Sequence, residues 1–182
     1  PLHPERQMIK NVSLHVRQGE ILGIAGLIGS GRTELAMSVF GRSYGVKISG
    51  EARLHGKVID VSTVGRAIKA GLAYVTEDRK QYGLLLAEDI RKNVTLANLS
   101  QVATNQIIDD VKELRVANDY RGKLRIRCSS VYQETLNLSG GNQQKVVLSK
   151  WLFSQPEVLI LDEPTRGIDV GAKYEIYSII NA

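Results

Sequence analysis

Residues 26–35 read "GLIGSGRTEL". The stretch has the frame of a phosphate-binding loop, G-x-x-x-x-G-K-[ST], with one departure. Arg32 stands where the pattern has lysine, and Thr33 follows it. In front of the loop, "ILGIA" at 21–25 is a short apolar run that reads as a buried strand. Behind it, "RTELAMSVFG" sets Leu35, Ala36, Val39 and Phe40 at helical spacing and ends at Gly41. Strand, glycines, helix is the order such a loop requires, because a helix N-terminus offers unpaired N–H groups to an anion. The expectation is an α/β fold, with a mostly parallel sheet carrying the loop and an antiparallel β edge.

Working outward, "NVSLHVRQGE" alternates Val12, Leu14 and Val16, a half-buried strand before a turn at Gln18-Gly19. On the other side, "GEARLHGKVID" reads as a hairpin around His55-Gly56. "TVGRAIKAG" reads as a helix, and "LAYVTED" as a strand ending in charge. From about 82 to 135 the strand–helix alternation is lost. There "NQIIDDVKELRV" places Ile107, Ile108, Val111 and Leu114 on one helical face, so a helical subdomain is expected.

Two further segments carry chemistry. In "LNLSGGNQQKVVLSKWLF", Ser139, Gly140 and Gly141 open a helix whose core side holds Val147, Leu148, Trp151 and Leu152. A serine cap with two glycines is a second place for an anion, although an ordinary capped helix has the same residues. In "PEVLILDEP", an apolar run at 158–161 reads as a buried strand leading into Asp162 and Glu163. Two acids at the end of an apolar strand are costly unless they meet a metal or hydrogen-bond donors. Nucleoside-triphosphate hydrolases use the first such acid on Mg²⁺ and a following one on water.

Composition narrows the classes. A chain of 182 residues, 43% hydrophobic and 24% charged, fits one globular domain with its own core. A lone cysteine, Cys128, excludes an internal disulfide and suits a reducing compartment. No apolar run approaches the about 18 residues that span a bilayer, and no secretory signal is present. The net charge is +5, but the basic residues are scattered apart from "RGKLRIR" at 121–127. Aromatics make up only 5%, so the basic stripe with stacking rings that a nucleic-acid face needs is missing. The chain opens at Pro1, and "VGAKYEIYSIINA" sets Ile176, Ile179 and Ile180 on one helical face with no stop signal. It therefore reads as a piece of a longer protein.

The constellation resembles the ATP-binding-cassette family over essentially the whole chain. "GLIGSGRT" matches its phosphate loop, "LSGGNQQ" its signature, "VLILDEPT" its acidic motif and "RGID" at 166–169 the loop that follows, in the right order. The wording of "GRTEL", "TEDRK", "LSGGNQQKV" and "DEPTRGIDVGAKYEIY" is similar to the second, C-terminal cassette of bacterial monosaccharide importers, in which two cassettes share one chain. Cassettes of DNA repair or translation resemble it less, because they carry long coiled-coil or basic insertions.

The resemblance implies a P-loop NTPase fold and a cassette pair that closes on ATP. One cassette spans 1–182, with its helical subdomain at about 82–135. Residues 26–33 would wrap the phosphates, with Gly26, Gly29, Ser30, Gly31, Arg32 and Thr33 as cofactor contacts. Thr33 and Asp162 would hold Mg²⁺, and Glu163 would be the general base. Ser139, Gly140, Gly141 and Asn142 would grip the γ-phosphate bound to the other cassette, and Asp169 would cross the interface. Implied partners are a second cassette, an integral membrane permease and, indirectly, a periplasmic sugar-binding protein, with no nucleic acid. The implied location is peripheral, on the cytoplasmic face of the inner membrane.

Several positions depart from the family pattern. Arg32 replaces the loop lysine. Glu77 stands where a glutamine touches the metal and senses the permease. Asn142 stands where glutamine is commoner. Pro1 and His3 fall where an adenine-stacking aromatic is expected, and the switch histidine would lie past Ala182. Lysine is a compact charge that threads into the loop, whereas arginine is planar and prefers a two-pronged grip. Positioning carries most of phosphoryl-transfer catalysis. Nucleotide holding is therefore expected to survive Arg32 better than turnover.

Overall fold

The computed structural model describes residues 9–45 and 47–181. Pro1 and His3 lie outside the described residues. The chain divides into two compact units, 1–72 and 73–182.

In the first unit, α1 (Arg32–Val39) follows the glycine-rich loop and is half-buried along its length, with buried Phe40 at its end. Strands β1 (Ala52–Leu54) and β2 (Lys57–Ile59) form the expected antiparallel hairpin, in a register pairing Ala52 with Ile59 and Leu54 with Lys57. The two-residue turn has φ 50° at His55 and 76° at Gly56. Two positive φ angles in a row give the type I′ turn, whose twist suits a tight hairpin. Thr63 caps α2 (Val64–Lys69) by accepting from the Arg66 N–H at 3.3 Å.

Two expected strands of this unit do not form. Residues 12–16 and 21–25 have no strand pairing, and Val12, Leu14 and Val16 are 49%, 50% and 47% exposed. Alternation and apolarity make a strand only where a neighbouring edge supplies backbone partners. Among the described residues no ladder reaches these segments, and they stay exposed.

In the second unit, β3 (Leu72–Val75) is buried on both faces and pairs with β6 (Val158–Leu161). The Asp162 N–H donates to the Val75 carbonyl at 2.9 Å and extends that pairing past the strand end. β6 is half-buried, not fully buried as its apolar run suggests, because among the described residues only β3 lies beside it.

Between these strands come a π-helical turn (Arg79–Gly83), α3 (Ile90–Thr95), a 3₁₀ segment (Leu96–Val102), β4 (Ala103–Thr104), β5 (Ile107–Ile108), α4 (Asp110–Lys123) and α5 (Gly140–Phe153). After β6 comes α6 (Val170–Ile180). Ile107 and Ile108 belong to the β4–β5 hairpin and not to the helix that their spacing predicts. Asp109 explains the difference: its carboxylate accepts from the N–H groups of Val111 and Lys112 at 3.0 and 3.1 Å. That cap starts α4 one residue later, and Ile107 and Val111 stay exposed.

α3 packs on α4 and α5, and the core holds Ile90, Val94, Val102, Ala117, Val146, Val147, Leu148 and Ile176. Trp151 is buried with them, while Leu152 is only half-buried. Two buried polar side chains tie this core together. Asn93 exchanges hydrogen bonds with the Leu85 backbone at 2.8 and 2.9 Å, and Thr95 Oγ1 donates to Glu113 Oε1 at 2.7 Å.

Candidate functional site

The expected site residues fall in both units. The phosphate-loop residues lie in the first. A turn closes from Ser30 N–H to the Leu27 carbonyl at 3.1 Å, and Gly31 is the residue before α1. Gly31 has φ 94°, a left-handed conformation that a side chain resists, so glycine suits the entry to the helix. No side chain caps α1 there. A helix start without a side-chain cap leaves its first N–H groups for water or an anion. A cleft of about 360 Å³ opens at this point, lined by Gly26, Ser30, Gly31 and Arg32 together with Ile9, Lys10, Val12 and Ile24. It combines anion-binding backbone and a cation with an aliphatic wall. Thr33 sits in the first turn of α1, half-buried.

The acidic motif and the signature lie in the second unit. Asp162 follows β6 directly and is buried, and Tyr74 Oη donates to its Oδ2 at 2.9 Å. Glu163 follows with φ 44°, an uncommon left-handed backbone for a non-glycine residue. It turns the chain out of the strand into a loop closed by Arg166 N–H on the Glu163 carbonyl at 3.0 Å, and Glu163 itself is exposed. Asp169, at the end of that loop, uses Oδ1 to accept from Ala172 N–H at 2.9 Å and caps α6.

Ser139 caps α5 in the same manner through the Asn142 N–H. Gly141 is buried where a Cβ would stand 2.6 Å from the Ala172 Cβ, so the signature helix reaches α6 only with glycine there. A Cβ on Gly140 would meet Arg79 Nη2 at 2.8 Å and the Gly167 carbonyl at 3.2 Å.

Several partners could not be read from the sequence. Glu77 pairs with Arg166, so its carboxylate is engaged by a cation from the loop after the acidic motif. Arg79 Nη1 donates to the Arg166 carbonyl at 2.8 Å and Nη2 to the Gly167 carbonyl at 3.4 Å, while Nε reaches Gln143 Oε1 at 3.4 Å. The segment 77–79 is thereby laced to loop 166–167 and to the first turn of α5. Asn142 donates to Ser139 Oγ and accepts from Arg127 N–H, each at 2.9 Å. Arg79 belongs to the quoted "TEDRK", but nothing in that spacing points to carbonyls nearly ninety positions downstream.

The Thr33 hydroxyl in the first turn of α1 and the Asp162 carboxylate after β6 are each hard oxygen donors, the kind Mg²⁺ takes. Among the described residues no cluster of three or more His, Cys, Asp or Glu could hold a metal ion.

Comparison with known proteins agrees with these motifs. The chain is 59% identical over 180 residues to the L-arabinose transport ATP-binding protein AraG of Geobacillus stearothermophilus, covering 99% of this chain and 35% of that protein. It is 52% identical over 178 residues to the xylose import ATP-binding protein XylG of Thermoanaerobacter pseudethanolicus, covering 98% and 35%. The chain thus spans about a third of the length of the curated relatives it matches. Among solved structures it is similar to MJ1267, an ATP-binding cassette of an ABC transporter, with a TM-score of 0.77 at 19% identity over 97% of this chain and 70% of that one. That likeness establishes the fold, an α/β P-loop NTPase cassette. The ABC transporter family is matched over residues 9–166, which takes in the phosphate loop, the signature and the acidic motif, and the chain belongs to that family.

Proposed function

We propose that this chain is an ATP-binding and ATP-hydrolysing cassette of a bacterial monosaccharide importer, driving uptake through a membrane permease. The observation that carries the reading is the 59% identity to an L-arabinose transport ATP-binding protein along nearly the whole chain. Binding of ATP is a property of the family. In this reading the loop from Gly26 to Thr33 holds the phosphates and Thr33 and Asp162 hold Mg²⁺. Glu163 orients or deprotonates water, and Ser139, Gly140 and Gly141 meet the γ-phosphate carried by a second cassette.

The chain corresponds to one cassette, with α3 and α4 as the body of a helical subdomain at about 82–135. The relatives are nearly three times the length of the shared stretch, which leaves room in them for another cassette. The protein would work at the cytoplasmic face of the inner membrane, beside its permease and a periplasmic sugar-binding protein. Among the described residues no helix is long and apolar enough to cross a membrane.

The test is uptake of labelled pentoses by proteoliposomes carrying the full-length protein with its permease and binding protein. ATP-dependent accumulation that stops with Glu163→Gln is the expected result. Accumulation that ignores ATP, or survives Glu163→Gln, contradicts it.

A second reading has its own observation. Arg32 replaces the loop lysine, and Glu77 is tied to Arg166. Both favour a site that holds nucleotide and completes the partner cassette's site while turning over slowly itself. Single-site turnover with the other site disabled separates the two readings.

A further inference from the structure

We infer that Asn142 is a positioning residue that fixes the polarity of the Ser139 hydroxyl, so that its proton is directed at the phosphate the signature meets. The inference rests on the reading of Ser139, Gly140 and Gly141 as the turn that contacts that phosphate. The residue at 142 is where the family more often has glutamine, and its geometry gives it work other than touching nucleotide.

Arg127 fixes one end of the Asn142 amide. Its backbone N–H lies 2.9 Å from Asn142 Oδ1. A backbone N–H can only donate, so the amide must turn its oxygen to Arg127. The other end of the amide is then fixed: Nδ2 donates to Ser139 Oγ at 2.9 Å. The Asn142 backbone N–H reaches the same oxygen at 3.5 Å. A hydroxyl has two acceptor sites and one proton. Both acceptor sites of Ser139 are taken up by Asn142, and what remains is the O–H donor. An exposed hydroxyl with only its proton left suits an anionic oxygen and not a cation or a donor.

The bracket stands on a rigid base. Lys145, with its side chain only 3% exposed, donates from Nζ to the Arg125 carbonyl at 3.0 Å and pairs with Glu175 of α6 at 2.6 Å. Glu175 also faces the Arg127 guanidinium at 3.5 Å. The backbone that orients Asn142 is therefore held from α5 and α6 together.

The experiment measures steady-state ATP hydrolysis by the full-length protein with its permease, for Asn142→Ala, Asn142→Asp, Ser139→Ala and the double variant Ser139→Ala/Asn142→Ala. Asn142→Ala should lower kcat by about tenfold with KM for ATP changed less than about twofold, because the contact matters when the signature closes on phosphate. Asn142→Asp should lower kcat further while unfolding no more easily than Asn142→Ala. Its carboxylate still accepts from Arg127, but it captures the Ser139 proton and adds negative charge. A purely structural role predicts the reverse order, with aspartate the better tolerated. In the Ser139→Ala background, Asn142→Ala should add less than about twofold. If Ser139→Ala lowers kcat and Asn142→Ala does not, or if the two losses simply multiply, the positioning role is overturned and the signature reading stands. If Ser139→Ala leaves kcat unchanged, the signature reading fails and takes this inference with it.

Discussion

Tyr74 Oη, on β3, donates a 2.9 Å hydrogen bond to Asp162 Oδ2, joining two buried residues 88 positions apart in sequence, the second directly after β6. The bond holds one carboxylate oxygen in place at the end of β6. Tyr74→Phe should lower stability by about 1.5–3 kcal/mol, the usual contribution of a hydrogen bond to a charged group. It should also reduce ATP hydrolysis, since an unheld Asp162 presents its oxygens less steadily to Mg²⁺. Urea unfolding and phosphate release check both. Unchanged unfolding would mean that the bond has no energetic role.

Lys150 provides a pH test. Its ammonium is buried, donates to the Gly83 carbonyl at 2.6 Å and lies 4.9 Å from the centre of the Trp151 ring. Burial pulls its pKa from 10.5 down to about 8. Between those values the unfolded chain binds more protons than the folded one, so this group makes stability rise with pH from about 8 to about 10.5. The full shift corresponds to about 3 kcal/mol. Lys150→Met should remove that rise. The measurement is wild-type stability minus variant stability across the window; a flat difference contradicts the account.

The signature glycine at 141 makes a packing prediction. Gly141→Ala places a methyl 2.6 Å from the Ala172 Cβ, too close for both to stay. Overpacking of this kind costs about 1–3 kcal/mol, partly offset by the better helix propensity of alanine. Ala172→Gly should recover part of the loss in the Gly141→Ala background and be destabilising alone. Thermal melts of the four variants reveal the coupling, and purely additive effects would mean that α5 and α6 do not meet there.

The parts of this molecule that were legible in the sequence are those decided locally. The turn at His55-Gly56 and the cap at Ser139 follow from residue types that favour one backbone geometry. The helix behind the glycine-rich loop was equally readable, because Gly31 stands where the left-handed entry to α1 needs it. What misled was pattern without partner. Val12, Leu14 and Val16 alternate as a strand should, yet pairing is a property of the neighbouring edge and not of the segment. Ile107 and Ile108 fit a helical face, and one carboxylate at Asp109 outweighed the period. The side-chain lacing of the candidate site was invisible for another reason. Glu77 with Arg166, and Arg79 with two carbonyls of the same loop, are contacts between distant segments that no local spacing encodes.

Arg32 in the lysine position predicts a loop better suited to holding than to splitting. Arg32→Lys should change ATP affinity by about tenfold or less, since the positive charge is kept. It should not bring turnover of this site up to that of its partner, because Glu77 remains. Arg32→Ala should weaken binding more. ATP titration and single-site turnover, with the other site disabled, decide the matter. Full recovery of turnover by Arg32→Lys alone would make arginine the sole defect.

The central claim is that the turn opening α5 acts on a nucleotide held by another cassette, while the loop at 26–33 holds its own. The direct measurement is Ser139→Arg in the full-length protein, with ATP binding to this chain's loop and phosphate release followed on the same sample. A bulky cation at the exposed cap should abolish hydrolysis and leave binding by the loop intact. Hydrolysis at the wild-type rate, or loss of binding at the chain's own loop, would contradict the account.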